Sequence, residues 1–308
     1  DVNKIGRDGN PEIAELTPAG DIMFFRADDG LHGSELWFFD EADALLVKDI
    51  HPGGEKTDSF PNNLTAIGEN LIIFNAASDG EIDTIWISDG TDRGTVMLEG
   101  LLRTKGNSHK QDDIAFPLTL MEAVSQPEGD SIKILMSGED AKNEAVLIAL
   151  SIARAGSRLE VEEIAAIHGF TPRHDAGKEE LFALDTHLVA MAEDRDGAAT
   201  VVTVEIGNFK NINSGKAPGP TQKIAVGKDD RGEPIVLTFS DDGSRGTTIY
   251  HSDIDSLQFE DIVTMEKEEF VGVIGNLGNG ILILVYSSAD WFLYSVRPDG
   301  SVEVVYEE

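Results

Sequence analysis

The chain has 308 residues, no cysteine, and 57 acidic residues against 24 basic ones, a formal net charge of −33. That balance excludes binding of DNA or RNA by phosphate neutralisation, which needs clustered Lys and Arg, and it disfavours anionic membrane surfaces. The missing thiols exclude disulfides, a cysteine nucleophile and a Cys-ligated metal, and no apolar run reaches the ~18 residues of a membrane span.

Length alone permits two domains, although closed all-β bodies of this size are common. The chain opens on Asp1 rather than Met, so a leader is expected to have been removed. With the acidic, Gly- and Asp-rich composition this predicts a bacterial protein that is secreted, on the cell surface or periplasmic.

Helix-period patterns are scarce, and short alternating apolar runs bounded by Gly, Asp, Asn and Pro recur throughout, which predicts an all-β chain. Residues 1–10 contain Val2-Asn3-Lys4-Ile5, a candidate closure strand. A first unit spans 11–50, with strands near Ile13–Thr17, Ile22–Ala27, Ser34–Phe39 and Leu45–Ile50. A second spans 62–102, with strands near Leu64–Ile67, Leu71–Ala76, Thr84–Ser88 and Thr95–Leu101. Trp37 to Trp86 and Val47 to Val96 are both 49 positions, so the register holds across the whole unit.

The third unit, 118–167, keeps the rhythm with Leu118–Val124, Lys133–Gly138, Ala145–Ser151 and Leu159–Ile167. The fourth, 180–212, has Glu180–Leu184, Leu188–Glu193, Thr200–Ile206 and a weak last strand at Phe209–Ile212. The fifth, 222–265, has Gln222–Gly227, Ile235–Ser240, Thr247–Ser252 and Ile262–Met265. The sixth, 270–306, has Phe270–Asn276, Ile281–Ser287, Trp291–Arg297 and Val302–Tyr306. Six four-stranded units of about 51 residues predict a single six-bladed β-propeller domain of antiparallel blades, with seven blades as the alternative.

Glu35-Leu36-Trp37 in the first unit and Asp89-Gly90-Thr91 in the second resemble the bacterial ELWxxDGT repeat family, propeller-like arrays in secreted or surface proteins. The flanks Phe24-Phe25-Arg26-Ala27-Asp28-Asp29-Gly30 and Val47-Lys48-Asp49-Ile50 share the resemblance, which covers residues 21–98. The first unit has Asp40-Glu41-Ala42 where the family has Asp-Gly-Thr, and the second has Thr84-Ile85-Trp86 for Glu-Leu-Trp. The resemblance implies fold and secretion. Its signature residues read as structural: a Trp packed between blades, and an Asp-Gly-Thr turn whose Gly takes positive φ.

Acidic hairpins recur between the second and third strands of the units: Asp28-Asp29-Gly30, Asp79-Gly80-Glu81, Glu139-Asp140, Asp194-Arg195-Asp196-Gly197 and Asp241-Asp242-Gly243. Asp28, Asp29, Asp194, Asp196, Asp241 and Asp242 are candidate calcium ligands, because calcium takes several oxygen donors at close range; Asp and Gly are equally the ordinary residues of tight turns.

In a propeller, the hairpin between a blade's second and third strands opens on the same face as the loop to the next blade. That geometry puts His32, His51, His109, His168 and His174 on one rim, with Arg173 beside the last, and leaves His187 and His251 opposite. Converging imidazoles could serve a metal site or a general base. The connections His51–Ser59, Arg103–Ala115 and His168–Lys178 are long, as binding loops often are. Phe60-Pro61, Phe116-Pro117 and Phe170-Thr171-Pro172 predict a repeated packing wedge. Residues 207–228 carry Lys210, Lys216, Lys223 and Lys228 without an acid and read as a solvated connector or a receptor for an acidic partner.

No Walker loop, nucleophile elbow or His-Glu-x-x-His is present, and the glycines at 272, 275 and 278 span a hairpin rather than a dinucleotide site. The sequence therefore predicts a secreted or surface binding module that holds a protein or carbohydrate on one rim, with Ca²⁺ as a structural ion. The alternative is an extracellular metal-dependent hydrolase or lyase acting on a polysaccharide or phosphoester through the rim histidines.

Overall fold

A computed structural model describes residues 12–40, 42–54, 57–104, 115–142, 144–155, 158–173, 181–229, 231–241, 246–265, 269–277, 280–287, 290–297, 299 and 301–307. The predicted closure strand lies outside them. The chain divides into two compact units, Asp1–His168 and Gly169–Glu308.

The first unit holds three antiparallel sheets, each built in chain order. The first sheet is β1 (Ala14–Ala19), β2 (Ile22–Asp28), β3 (Ser34–Phe39) and β4 (Ala44–Lys48). The second is β5 (Asn62–Gly68), β6 (Leu71–Ala76), β7 (Thr84–Ser88) and β8 (Val96–Met97), which runs into α1 (Leu98–Thr104). The third is β9 (Thr119–Glu128), β10 (Ser131–Glu139), β11 (Ala145–Ala155) and β12 (Arg158–Ile167).

The second unit begins with β13 (Phe170–Pro172) and β14 (Leu181–Ala183), which both pair with β15 (His187–Asp194), followed by β16 (Ala199–Glu205) and β17 (Ile212–Lys216). β18 (Thr221–Lys228), β19 (Pro234–Asp241), β20 (Thr247–Asp253) and β21 (Glu260–Met265) form the next sheet. β22 (Glu269–Leu277), β23 (Gly280–Ser287), β24 (Asp290–Val296) and β25 (Val302–Glu307) form the last. The chain is thus all-β, with six antiparallel sheets among the described residues.

Alternation explains how the sheets stack. In β6 every residue is buried: Ile72, Phe74 and Ala76 face Phe24, Leu36 and Val47 of the first sheet, while Leu71 and Ile73 face Leu120, Ile134 and Met136 of the third. A strand covered on both faces needs a nearly continuous apolar run, which is what residues 71–76 supply. The one polar member is Asn75, 2% exposed, whose side chain donates to Leu120 O at 2.8 Å and accepts from Leu120 N at 2.7 Å. Arg26, 49 positions earlier, makes the corresponding link by donating from Nη1 to Pro61 O at 3.3 Å. At this strand position the repeat conserves a polar bridge to the next segment of chain as well as a packing face.

The two tryptophans differ. Trp86 packs into the core shared by the first two sheets, and its Nε1 donates to Ala76 O and Thr84 Oγ1. Trp37 packs with Phe25 and Ala27 on the other face of the first sheet, and its buried Nε1 has no hydrogen-bond partner among the described residues. Gly90 takes the expected positive φ, +84°, and Asp89 Oδ1 accepts from Thr91 N and Oγ1 to close the turn.

The structure corrects four local expectations. Thr95–Leu101 is a two-residue strand followed by α1, because Leu98 and Leu102, one helical turn apart, both reach the core beneath the second sheet. The His168–Lys178 connection contains β13, which shares with β14 the edge of β15. The fourth unit's last strand starts at Ile212 and extends to Lys216, while Phe209 is buried in the preceding turn. Lys216 accordingly sits at the end of β17, and Lys223 and Lys228 lie on β18, where a strand is expected over 222–227. Finally, Phe116 packs on the core but Phe60 leaves its ring exposed, so the Phe-Pro recurrence is not a uniform packing wedge.

Candidate functional site

Three segments meet at one end of the first two sheets: the β2–β3 hairpin, the β4–β5 connection and the β6–β7 hairpin. Each hairpin is closed by an aspartate that accepts from its own turn. Asp28 Oδ1 takes the Gly30 N–H at 2.6 Å, Asp29 Oδ1 takes those of Leu31 and His32 at 2.9 Å, and Asp79 Oδ1 takes those of Glu81 and Ile82. These bonds fix the turns by the side-chain mimicry of backbone acceptors that makes Asp a turn residue. The His32 ring pairs with Asp29 at 2.8 Å. Burial would raise the Asp29 carboxyl, but the His32 and Leu31 amides and the His32 ring hold it below its ordinary value. The Glu81 and Ile82 amides likewise lower Asp79.

Glu35 is the centre of the arrangement. It has no exposed surface and lies on β3 opposite Ala27. Its carboxylate accepts from Ile50 N at 2.9 Å, His51 N at 3.3 Å, Ser59 N at 3.2 Å and Ser59 Oγ at 2.6 Å. One buried side chain therefore takes amides from both ends of the β4–β5 connection, and without it those of Ile50 and His51 would be orphaned, whereas Ser59 shares its amide with Ser34 O. The same connection is pinned from outside: Asp58 Oδ1 accepts from Ser34 N at 2.7 Å, and the Ser59 and Phe60 amides both donate to Ser34 O. Gly33 makes the approach feasible, since its φ is +75° and a Cβ there would stand 2.4 Å from Thr57 O.

Burial pushes the Glu35 carboxyl up from 4.5 to about 7, against the pull of its Ser59, Ile50 and His51 donors, and the nearby Asp49 charge adds to the rise. A carboxyl raised in this way keeps its proton in the folded chain where the unfolded chain has lost it. Its stabilising contribution is therefore full below pH 4.5 and disappears as pH rises to about 7. At about 1.4 kcal/mol per pKa unit, the loss is on the order of 3 kcal/mol. Denaturant titrations of wild type and Glu35→Gln should show the wild type losing its relative advantage between pH 4.5 and 7, with a constant difference above; an offset that is the same at all these values contradicts the assignment.

The β6–β7 hairpin joins through His51, whose Nδ1 lies 3.2 Å from Asp58 O. Its ring lies against Gly80, where a Cβ would stand 2.6 Å from Cε1. Asn62 Nδ2 donates to Phe60 O at 3.0 Å and to Asp83 Oδ2 at 3.1 Å, tying the connection to the far side of the hairpin. On this network sit three exposed apolar side chains, Leu31 (52%), Phe60 (51%) and Ile82 (51%). Phe60 has φ +46°, a left-handed conformation that costs a non-glycine residue roughly 1–2 kcal/mol.

The structure thus brings together His32, His51, Asp28 and Asp29 of the sequence-derived candidates. His168 is exposed in the β12–β13 turn. Arg173 holds strands: its Nη1 donates to Thr221 O at 3.1 Å, and its amide donates to Met191 O. Asp194 Oδ1 accepts from Asp196 N and Ala198 N at 2.9 Å, which lowers its carboxyl; Asp196 is exposed and Asp241 ends β19. His109, His174 and Asp242 lie outside the described residues. Among the described residues no group of three or more His, Asp or Glu is placed to hold a metal ion, and Asp28, Asp29 and Asp194 each commit an oxygen to their own turn.

Sequence reasoning missed Glu35 as the organiser and the trio Leu31, Phe60 and Ile82. The signal for Glu35 is a single acid within the run Ser34–Phe39, at a position where the strand is otherwise buried. Two concavities lie elsewhere in the first unit. One of about 470 Å³ is lined by Arg93, Leu101 and Arg158 among others; the other, about 790 Å³, lies beside Asn70, Asp130 and Arg154. Neither includes a candidate residue. No described helix is long and apolar enough to cross a membrane.

No family model matches the chain, and no curated protein matches it in sequence. Solved structures similar to it include oligopeptidase B from Leishmania major, at 14% identity and TM-score 0.49, covering 96% of this chain and 40% of that one. A putative TolB from Agrobacterium tumefaciens is similar at 10% identity and TM-score 0.38, covering 76% of each chain. The N10 neuraminidase-like protein of an influenza A virus from a little yellow-shouldered bat is similar at 10% identity and TM-score 0.44, covering 97% of this chain and 94% of that one. The chain spans about two fifths of the oligopeptidase.

Proposed function

We propose that this chain is a secreted or cell-surface binding module, a six-bladed β-propeller related to the ELWxxDGT repeats, that holds a protein or carbohydrate partner on the rim centred on Glu35. The observation that carries the reading is the display of Leu31, Phe60 and Ile82 on segments held by internal hydrogen bonds, the β4–β5 connection by buried Glu35 and the two hairpins by Asp29 and Asp79. Ordering loops at the moment of binding costs free energy, so segments already held by internal hydrogen bonds present their side chains at lower cost. Exposed apolar side chains ringed by polar residues mark interaction surfaces.

The test is a screen of the whole chain against a glycan array and a displayed peptide library. Each ligand is then measured on Phe60→Ala and on an Asp130→Ala/Arg154→Ala variant at the other end of the strands. The reading expects ligands weakened about tenfold by Phe60→Ala, a change of roughly 1.4 kcal/mol, and untouched by the distant pair. Ligands indifferent to Phe60 and sensitive to the distant pair, or turnover of a ligand, contradict it.

A further inference from the structure

We propose that the partner seated on this rim is a protein segment that combines lysine or arginine with aliphatic side chains. The inference rests on the binding-module reading and narrows it from two partner classes to one.

A chain of contacts joins the three segments that carry the apolar side chains. Leu31 adjoins the β4–β5 connection, since its carbonyl stands 3.9 Å from where a Gly54 Cβ would be. Phe60 is bound through its own amide to Ser34 O and through its carbonyl to Asn62, which also holds Asp83, the neighbour of Ile82. Around them the described residues of the three segments supply Asp29, Asp49, Asp58, Asp79, Glu81 and Asp83 and no Lys or Arg; Glu55 and Lys56 of the β4–β5 connection lie outside the described residues and add no net charge. The guanidinium of Arg26 is turned to the backbone beside Phe60, where it donates to Pro61 O. The surface is apolar at three points and anionic between them.

Two features favour a protein partner over a sugar. Carbohydrate sites rely on aromatic faces that stack on sugar rings, whereas this rim offers one aromatic and two branched aliphatic side chains. Several of its carboxylates also have an oxygen occupied: Asp29 and Asp79 by their own turns, Asp58 by Ser34 and Asp83 by Asn62. What is left acts on a partner more as a negative field than as a directional hydrogen-bond array. A field of one sign speeds encounter with the opposite charge and sets specificity, while the apolar contacts slow release.

The experiment uses the full chain and labelled synthetic peptides: one alternating lysine and leucine, one alternating lysine and serine with the same charge, and one alternating glutamate and leucine. Maltohexaose and chitohexaose serve as sugar probes. Anisotropy is read for wild type, for Leu31→Ser/Phe60→Gly/Ile82→Ser, and for a control Val304→Ser/Tyr306→Ser on exposed positions of β25. Glycine at 60 suits the left-handed backbone, so the rim variant is expected to melt no lower than wild type. The lysine–leucine peptide should bind wild type and the control alike and lose about tenfold in affinity on the rim variant. The lysine–serine peptide should bind at least about tenfold more weakly, and the glutamate–leucine peptide not at all.

Equal binding of the two lysine peptides, indifference to the rim variant, or no binding of the lysine–leucine peptide would overturn the proposal. A sugar that binds and is lost on the rim variant defeats the protein-segment proposal while leaving the rim reading intact. A ligand of any class that ignores the rim variant defeats both.

Discussion

Replacing Glu35 with leucine is expected to destabilise the chain by about 2–5 kcal/mol, because it strips the acceptor from the buried amides of Ile50 and His51 and leaves Ser59 N and Oγ with Ser34 O alone. The bonds at risk come from Ile50 N, His51 N, Ser59 N and Ser59 Oγ. Leucine has similar bulk, so lost packing contributes little and the cost reports the polar loss. Urea titration reads it directly. A variant as stable as wild type would mean that the β4–β5 connection finds other acceptors and that Glu35 does not organise it.

Asn75→Leu is the second large effect, with an expected loss of about 2–4 kcal/mol. Asn75 occupies both polar groups of Leu120 at the start of β9, and its Nδ2 also donates to Asn62 Oδ1 at 3.4 Å. Leucine suits the strand and the apolar face but leaves a buried N–H without a partner. Asn63 Nδ2 still donates to Leu120 O at 3.1 Å, so the carbonyl is only partly deprived and the orphaned amide dominates. Thermal unfolding of Asn75→Leu beside Asn75→Asp separates the terms: aspartate keeps the acceptor for Leu120 N, and it should recover part of the loss only at low pH, where the carboxyl is protonated and uncharged.

The strands were legible because the period-2 pattern and the Gly and Asp turns act locally, and Ile22–Asp28, Ser34–Phe39 and Leu71–Ala76 fall where the pattern puts them. The departures come from tertiary contacts that no local pattern encodes. Leu98 and Leu102 reach one core only as a helix, and β13 forms because β15 is long enough to pair with two short strands. The 49-residue register was read as a device for holding sheets together, and Trp86 fits that role. It also concealed the site. Glu35 belongs to the repeated signature, yet its second-copy counterpart is Thr84, which donates to Ala76 O and accepts from Trp86. Function at this position follows from the break in the repeat: a carboxylate where the next copy has a hydroxyl, beside a connection with amides to satisfy.

The histidines illustrate the same limit. Assignment of loops to one end puts five histidines on one rim, and of these His32 and His51 lie in segments joined by the hydrogen bonds of Glu35 and Asp58. Their rings nevertheless serve different partners, Asp29 for the first and Asp58 O for the second. Sequence spacing assigns a loop to an end of the sheet, but ring direction is set by the turn that holds it.

Amide hydrogen exchange on wild type and Glu35→Gln above pH 7 tests most directly whether one buried carboxylate holds the rim in place. Ile50 and His51 are held by different carboxylate oxygens and glutamine keeps one, so at least one of these two amides should lose protection in the variant, while Ile73 and Phe74 in β6 keep theirs because the loss is local to the connection. Unchanged protection at both Ile50 and His51, or a loss spread equally into β6, would contradict the role given to Glu35.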